Sequence, residues 1–152
     1  MAQAETVVAR RAETREDMQA IFSFLVARER LPAPVNSLKA QSEIAKVIRA
    51  GLAIIVEADG VLAATAGFLR SPWWFSDEES FFSMWFHTGE EFRYPAVLRA
   101  LMDEIYDLVL REETPAFIHH RPMRQGAARM QQFGEDFAIY PTGRTLALKT
   151  GA

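Results

Sequence analysis

The chain has 152 residues, with 17 basic and 20 acidic side chains, a net charge of −3 and 49% apolar residues. That length predicts one domain, residues 1–152, with a substantial buried core. The mild acidity disfavours nucleic acid and anionic lipid as partners, and the lack of cysteine excludes disulfides, thiolate catalysis and Cys-ligated zinc.

Met1–Glu5 shows no basic region leading into an apolar run, so no secretory signal is expected. The longest apolar stretches, such as Leu52–Val56, are too short to span a bilayer. Together with the missing cysteines this predicts a cytoplasmic location. No repeat, low-complexity segment or linker interrupts the chain.

Thr6–Arg11 reads as a first strand led by Val7 and Val8. Thr14 and Asp17 have capping-box spacing, and Met18, Ile21, Phe22 and Leu25 recur at helical spacing over residues 15–29. Pro32-Ala33-Pro34 marks a loop. Asn36 or Ser37 then caps a second helix, with a stripe of Ile44, Val47 and Ile48 and a stop at Gly51.

Leu52–Glu57 and Val61–Leu69 are β-rich runs separated by Asp59-Gly60, the signature of a type I′ hairpin. Ser71–Glu79 reads as a loop carrying Trp73, Trp74 and Phe75. Ser80–His87 is a fourth strand with Phe81, Phe82, Trp85 and Phe86; apolar on both faces, it should be central and covered by helices. Pro95 opens a helix over 95–111, whose expected buried stripe is Val97, Leu98, Leu101, Met102, Ile105 and Leu108.

Thr114–His120 is a fifth strand, residues 123–133 a short helix with Met123, Met130 and Phe133, and Phe137–Tyr140 with Arg144–Lys149 a closing hairpin. The order is β-α-α-β-β-β-α-β-α-β-β: seven strands, four helices and a mixed α/β sheet. The strand–helix–strand unit over 80–120 implies a right-handed parallel crossover, so strand four should run antiparallel to strand three and parallel to strand five.

This order, in a chain of this size, resembles the GNAT superfamily of acyl-CoA N-acyltransferases. The family's phosphate-binding turn carries Arg or Gln, two residues, Gly, one residue, then Gly or Ala. The matching stretch is Arg93-Tyr94-Pro95-Ala96-Val97-Leu98, followed by Arg99-Ala100-Leu101-Met102. Arg93 takes the basic position, Ala96 the first Gly, and Leu98 the Gly/Ala position. The glycines let backbone N–H groups at a helix start approach a pyrophosphate. Leu98 and Pro95 degrade that cradle, while Arg93 retains a phosphate partner.

The resemblance implies acetyl-CoA as co-substrate, held by Phe86, His87, Arg93, Ala96, Leu98 and Arg99, and an amine acceptor of unknown identity. The family's helix-four Tyr, a proton donor to the leaving thiolate, is replaced by Met130 in Met130-Gln131-Gln132-Phe133-Gly134-Glu135.

Candidate catalytic groups are Glu79, His87 and Tyr140; Glu90 and Glu91 read either as a solvated turn or as further candidate bases. His87 reads either as a packed histidine or as a base. The adjacent His119 and His120 point to opposite faces of a strand, so they make no metal pair, and no metal site is expected. Arg121, Arg124 and Arg129 read as a solvated basic stretch or as a phosphate or nucleic-acid contact. The Trp73-Trp74-Phe75 segment reads either as a loop folded onto the core or as a substrate or protein-partner surface.

Two functions follow: an acyl-CoA-dependent N-acyltransferase, or a GNAT-like module that has lost chemistry and serves binding or structure. A bacteriophage or phage-like particle component, hence virion association, is one version of the second.

Overall fold

The computed structural model of the chain describes residues 3–28, 31, 33–118, 137–141 and 145–147. The elements are β1 (Val7–Arg11), α1 (Arg15–Arg28), α2 (Ser37–Arg49), β2 (Ala53–Ala58), β3 (Val61–Pro72), β4 (Glu79–Thr88), α3 (Pro95–Glu112), β5 (Ala116–Ile118), β6 (Phe137–Ile139) and β7 (Thr145–Ala147), with a 3-10 turn at Glu90–Phe92. The expected helix over 123–133 lies outside the described residues. Among the described residues, no helix is long and apolar enough to cross a membrane.

Local sequence explains the starts and stops. Thr14 Oγ1 accepts from the Asp17 N–H, and the Asp17 carboxylate accepts from the Thr14 N–H, which closes the expected capping box. Asn36, rather than Ser37, caps α2 by accepting from the Lys39 N–H at 3.0 Å. At the other end Gly51 has φ +76°, and the N–H groups of Gly51 and Leu52 donate to the carbonyls of Ile48 and Val47. That is a Schellman stop, which a left-handed glycine permits. Asp59 and Gly60 both have positive φ, as a type I′ hairpin requires.

The seven strands lie in chain order in one sheet. β4 is fourth of seven, antiparallel to β3 and parallel to β5. This matches the expected mixed sheet, with α3 as the crossover between its parallel pair. Ala63–Phe68 of β3 is buried without interruption, so both faces of the sheet are covered. α3 packs on β1, β2 and β3 from one side, and the α1–α2 pair packs from the other. Ile21, Val47, Val56, Phe68, Phe81, Leu101 and Ile105 anchor the core.

Two expectations are corrected. β3 continues through Pro72, paired with Glu79, so the predicted loop shrinks to Trp73–Glu78. Pro72 is tolerated because it ends its strand, where a missing N–H breaks no further ladder bond. Leu98 is 47% exposed and does not join the buried stripe of α3, which consists of Val97, Leu101, Ile105, Leu108 and Val109. One residue along a helix is a rotation of about 100°, and that turns Leu98 off the face Val97 presents to the sheet.

β4 contains the feature that shapes the site. Phe68 pairs with Ser83 and Gly67 pairs with Trp85, so Met84 is an extra residue on β4. A bulge of this kind resets strand alternation. Phe81 and Ser83 share the α3 side with Phe68, whereas Trp85 and His87 share the α1 side with Gly67 and Thr65. Trp85 is buried and its indole crosses Gly67, where a Cβ would lie 2.3 Å from the ring. Its Nε1–H donates to Thr65 Oγ1, which in turn donates to the Ile54 carbonyl.

Candidate functional site

Past the bulge, β4 runs on beyond the described part of its parallel neighbour. β4 pairs with β5 at Phe81–Ala116 and Phe82–Phe117, whereas its pairing with β3 runs on to Thr88. An open cleft of about 730 Å³ lies at this C-terminal end, bounded by Phe86, His87 and Thr88 on one side. The opposite wall is the start of α3, with Tyr94, Pro95, Leu98 and Met102, and two guanidinium groups, Arg93 and Arg99, complete it.

Five of the six residues expected to hold a cofactor therefore meet in one cleft: Phe86, His87, Arg93, Leu98 and Arg99. Ala96 is exposed and is not among the lining residues. Pro95 at the first helical position offers no N–H, and the Val97 N–H donates to the Tyr94 carbonyl at 3.1 Å. Both features lower the number of free backbone donors at this helix start, while the guanidinium groups supply the positive charge.

His87 is the candidate whose environment is tuned. It is half-buried and its ring meets Phe24 of α1 edge-on, with centroids 5.7 Å apart. Burial pushes its pKa below the ordinary imidazole value, and the charges of Arg93 and Arg28 push the same way. It therefore stands neutral at physiological pH, with one ring nitrogen able to accept a proton. Arg28 lies over the Phe24 ring at 4.4 Å and pairs with Glu91 at 2.7 Å. That hydrogen bond holds the Glu91 carboxyl below its usual range, so Glu91 acts as a partner for Arg28. Gly89 leaves room for this cluster: a Cβ there would lie 3.0 Å from Phe92 and 3.2 Å from Arg28.

Glu79 and Tyr140 do not converge on the cleft. Glu79 is exposed at the opposite end of β4, eight positions from His87, a span of about 26 Å at strand rise. Tyr140 meets Phe117 edge-on at 6.1 Å. Phe117 pairs with Phe82, five positions short of His87, or about 16 Å. The extended backbone that made these residues neighbours in the sequence is what separates them in space. His119, His120, the arginines at 121, 124 and 129, and the Met130–Glu135 stretch lie outside the described residues. Among the described residues, no three His, Asp or Glu side chains gather as a metal site.

The aromatic segment divides. Trp73 folds back, edge-on to Phe82 and Phe117 at 4.9 Å each, with its Nε1–H donating to Ser80 Oγ. Trp74 and Phe75 face solvent, at 93% and 65% exposure.

Sequence reasoning set Tyr94 and Pro95 in the phosphate-binding turn but missed Thr88 and Met102 as cleft walls, and Phe24 and Arg28 as the frame around His87. Phe24 was within reach, since it lies three residues after Ile21 on the same helical face. The anchor of Tyr94 gave no such signal: its hydroxyl accepts from the Ala4 N–H, 90 residues away in sequence.

No family model matches the chain, and no curated protein does. Solved structures do. The predicted acetyltransferase from Clostridium acetobutylicum, crystallised with acetyl-CoA, superposes with a TM-score of 0.59 at 14% identity, over 85% of this chain and 89% of that one. The ribosomal-protein-alanine N-acetyltransferase from Brucella melitensis biovar Abortus gives 0.59 at 13% identity, over 84% and 89%. A GNAT-family acetyltransferase from Streptococcus pneumoniae gives 0.58 at 15% identity, over 88% and 86%. With its mixed sheet, bulged central strand and β4–α3 cleft, this chain has the GNAT acetyltransferase fold.

Proposed function

We propose that the protein is an acyl-CoA-dependent N-acyltransferase whose donor, acetyl-CoA, occupies the cleft between the end of β4 and the start of α3. One observation carries this reading: Arg93, Arg99, Phe86 and His87 line a single cleft between the end of β4 and the start of α3. The guanidinium groups suit the phosphates of the donor, and the apolar walls at Phe86 and Met102 suit its uncharged arm.

In the proposed reaction His87 accepts a proton from the incoming ammonium. The freed amine nitrogen bonds to the thioester carbonyl carbon, the C–S bond breaks, the sulfur leaves as thiolate, and the nitrogen's surplus proton passes to that thiolate or to solvent, leaving the neutral amide. A thiolate, with a solution pKa near ~8.5, departs tolerably without a dedicated acid. Holding both reactants in register supplies much of the acceleration.

The weakened phosphate cradle favours a second reading, a GNAT-fold module without catalysis. Calorimetric titration with acetyl-CoA separates the two. Binding that Arg93→Ala weakens about ten-fold or more, with free thiol released in the presence of amines, supports the enzyme. No heat at millimolar donor supports the module.

A further inference from the structure

The β3–β4 connection has a character that acyl transfer in the distant cleft does not use. Its six residues, Trp73–Glu78, are pinned in one shape. The Trp73 N–H donates to the Glu78 carbonyl, the Ser76 N–H donates to the Trp73 carbonyl, and the Glu78 N–H donates to Ser76 Oγ. Trp73 stacks beneath Phe75 at 5.6 Å and 30°, and Phe75 meets Trp74 edge-on at 5.4 Å. Trp73 is itself seated on Phe82 and Phe117. The sheet thus holds two largely exposed aromatic rings out in solvent, where their hydration cost is only partly offset by their contacts within the loop.

Along this segment the charge is one-sided. Asp77, Glu78 and Glu79 follow directly, and Ser71–Ser80 contains no basic residue. All three carboxylates are exposed, and none makes an ion pair among the described residues. Exposed π faces beside free carboxylates are complementary to guanidinium or ammonium groups on an apolar stem: the ring face attracts the cation, the carboxylates neutralise it, and the stem covers the rings.

We propose that the β3–β4 loop is a docking surface for a basic peptide segment, one in which Arg or Lys alternates with apolar side chains. The loop is preorganised, so binding spends little on ordering it. Charge complementarity selects this occupant over a second copy of the chain, whose own loop would present like charge.

The test uses fluorescence anisotropy with two labelled nonapeptides, one alternating Arg and Leu and its counterpart alternating Glu and Leu, on the full chain. The basic peptide is expected to bind, and the acidic one not. Binding should weaken several-fold as salt rises from about 50 to about 300 mM. Trp74→Ala should weaken it about five- to ten-fold. The triple variant Asp77→Asn, Glu78→Gln, Glu79→Gln should flatten the salt dependence. All these side chains are exposed, so thermal melting of the variants should match the parent. Absence of binding at millimolar basic peptide overturns the proposal, as does binding that neither variant changes. Sedimentation that shows a dimer lost in Trp74→Ala would overturn it too, by assigning the rings to self-association.

Discussion

At the scale of single residues, His87 and Gly67 make the sharpest claims. The depressed pKa of His87 keeps it neutral down to below the ordinary value of about 6.5. With an amine that supports turnover, kcat/KM should therefore hold through neutral pH and decline only below about pH 6.5 as the ring protonates. His87→Gln should remove that acid limb and lower the rate about 10²-fold or more. A limb that persists unchanged in the variant would assign it to another group. Gly67 is required for a different reason. A methyl group there has no place to go while Trp85 lies across it, so Gly67→Ala should destabilise the fold by about 1–3 kcal/mol, read by chemical denaturation. Because Trp85 neighbours the cleft wall, the same variant should also weaken donor binding. Unchanged stability would mean that the indole swings aside freely.

At the scale of elements, the start of α1 concentrates several interactions on one buried carboxylate. Asp17 accepts from the N–H groups of Glu13 and Thr14 and from both terminal nitrogens of Arg10, with 2.9 Å to the nearer. The Arg10 hydrogen bonds hold the carboxyl well below the usual range. Arg10 is itself partly exposed and shared with Glu57, which discounts the ion pair for solvent screening. Asp17→Ala should then cost about 2 kcal/mol, from the lost cap and the charge-assisted bonds. A depressed carboxylate binds protons more readily when unfolded, so this contribution is complete above about pH 4 and is lost as pH falls further. The stability difference between wild type and Asp17→Ala should accordingly shrink below pH 4, and a constant gap would refute the assignment. α3 offers the opposite trade. Leu98→Gly opens the cleft at the cost of about 1 kcal/mol of helix propensity. Acetyl-CoA affinity should rise while the melting temperature falls slightly; an affinity that drops would mean Leu98 packs on the donor.

For the whole molecule, β4 ties the layers together. Phe81 is fully buried, meets Phe68 at 6.4 Å, lies under Arg70 at 5.1 Å, and stands in the register pair that joins β4 to β5. Phe81→Ala should cost about 3–5 kcal/mol through the cavity left behind. Far-UV dichroism and tryptophan fluorescence should lose signal in one shared transition, because the sheet crosses the chain as a single unit. Two separated transitions would show that the β5–β7 side melts by itself.

The order of the described elements was legible from the sequence because each signal is local. Asp59-Gly60 needs only its own backbone angles, Thr14 and Asp17 close a cap across three residues, and Gly51 stops α2 by its own freedom of φ. The mixed sheet followed from those signals and from the handedness of one crossover. The candidate cleft was legible in outline, since Phe86, His87, Arg93, Leu98 and Arg99 flank one strand–helix junction and the chain cannot carry them apart. What tertiary structure alone decided is everything that depends on pairing between strands. The extra residue Met84 is visible only against Gly67 and Phe68, yet it sends Phe86 toward α3 and His87 toward Phe24. The distance from Glu79 to His87 is set by an extended backbone, which separates what sequence brackets together. Trp73 turns inward and Trp74 outward because Phe82 and Phe117 meet across two strands, and no spacing along the chain encodes that meeting.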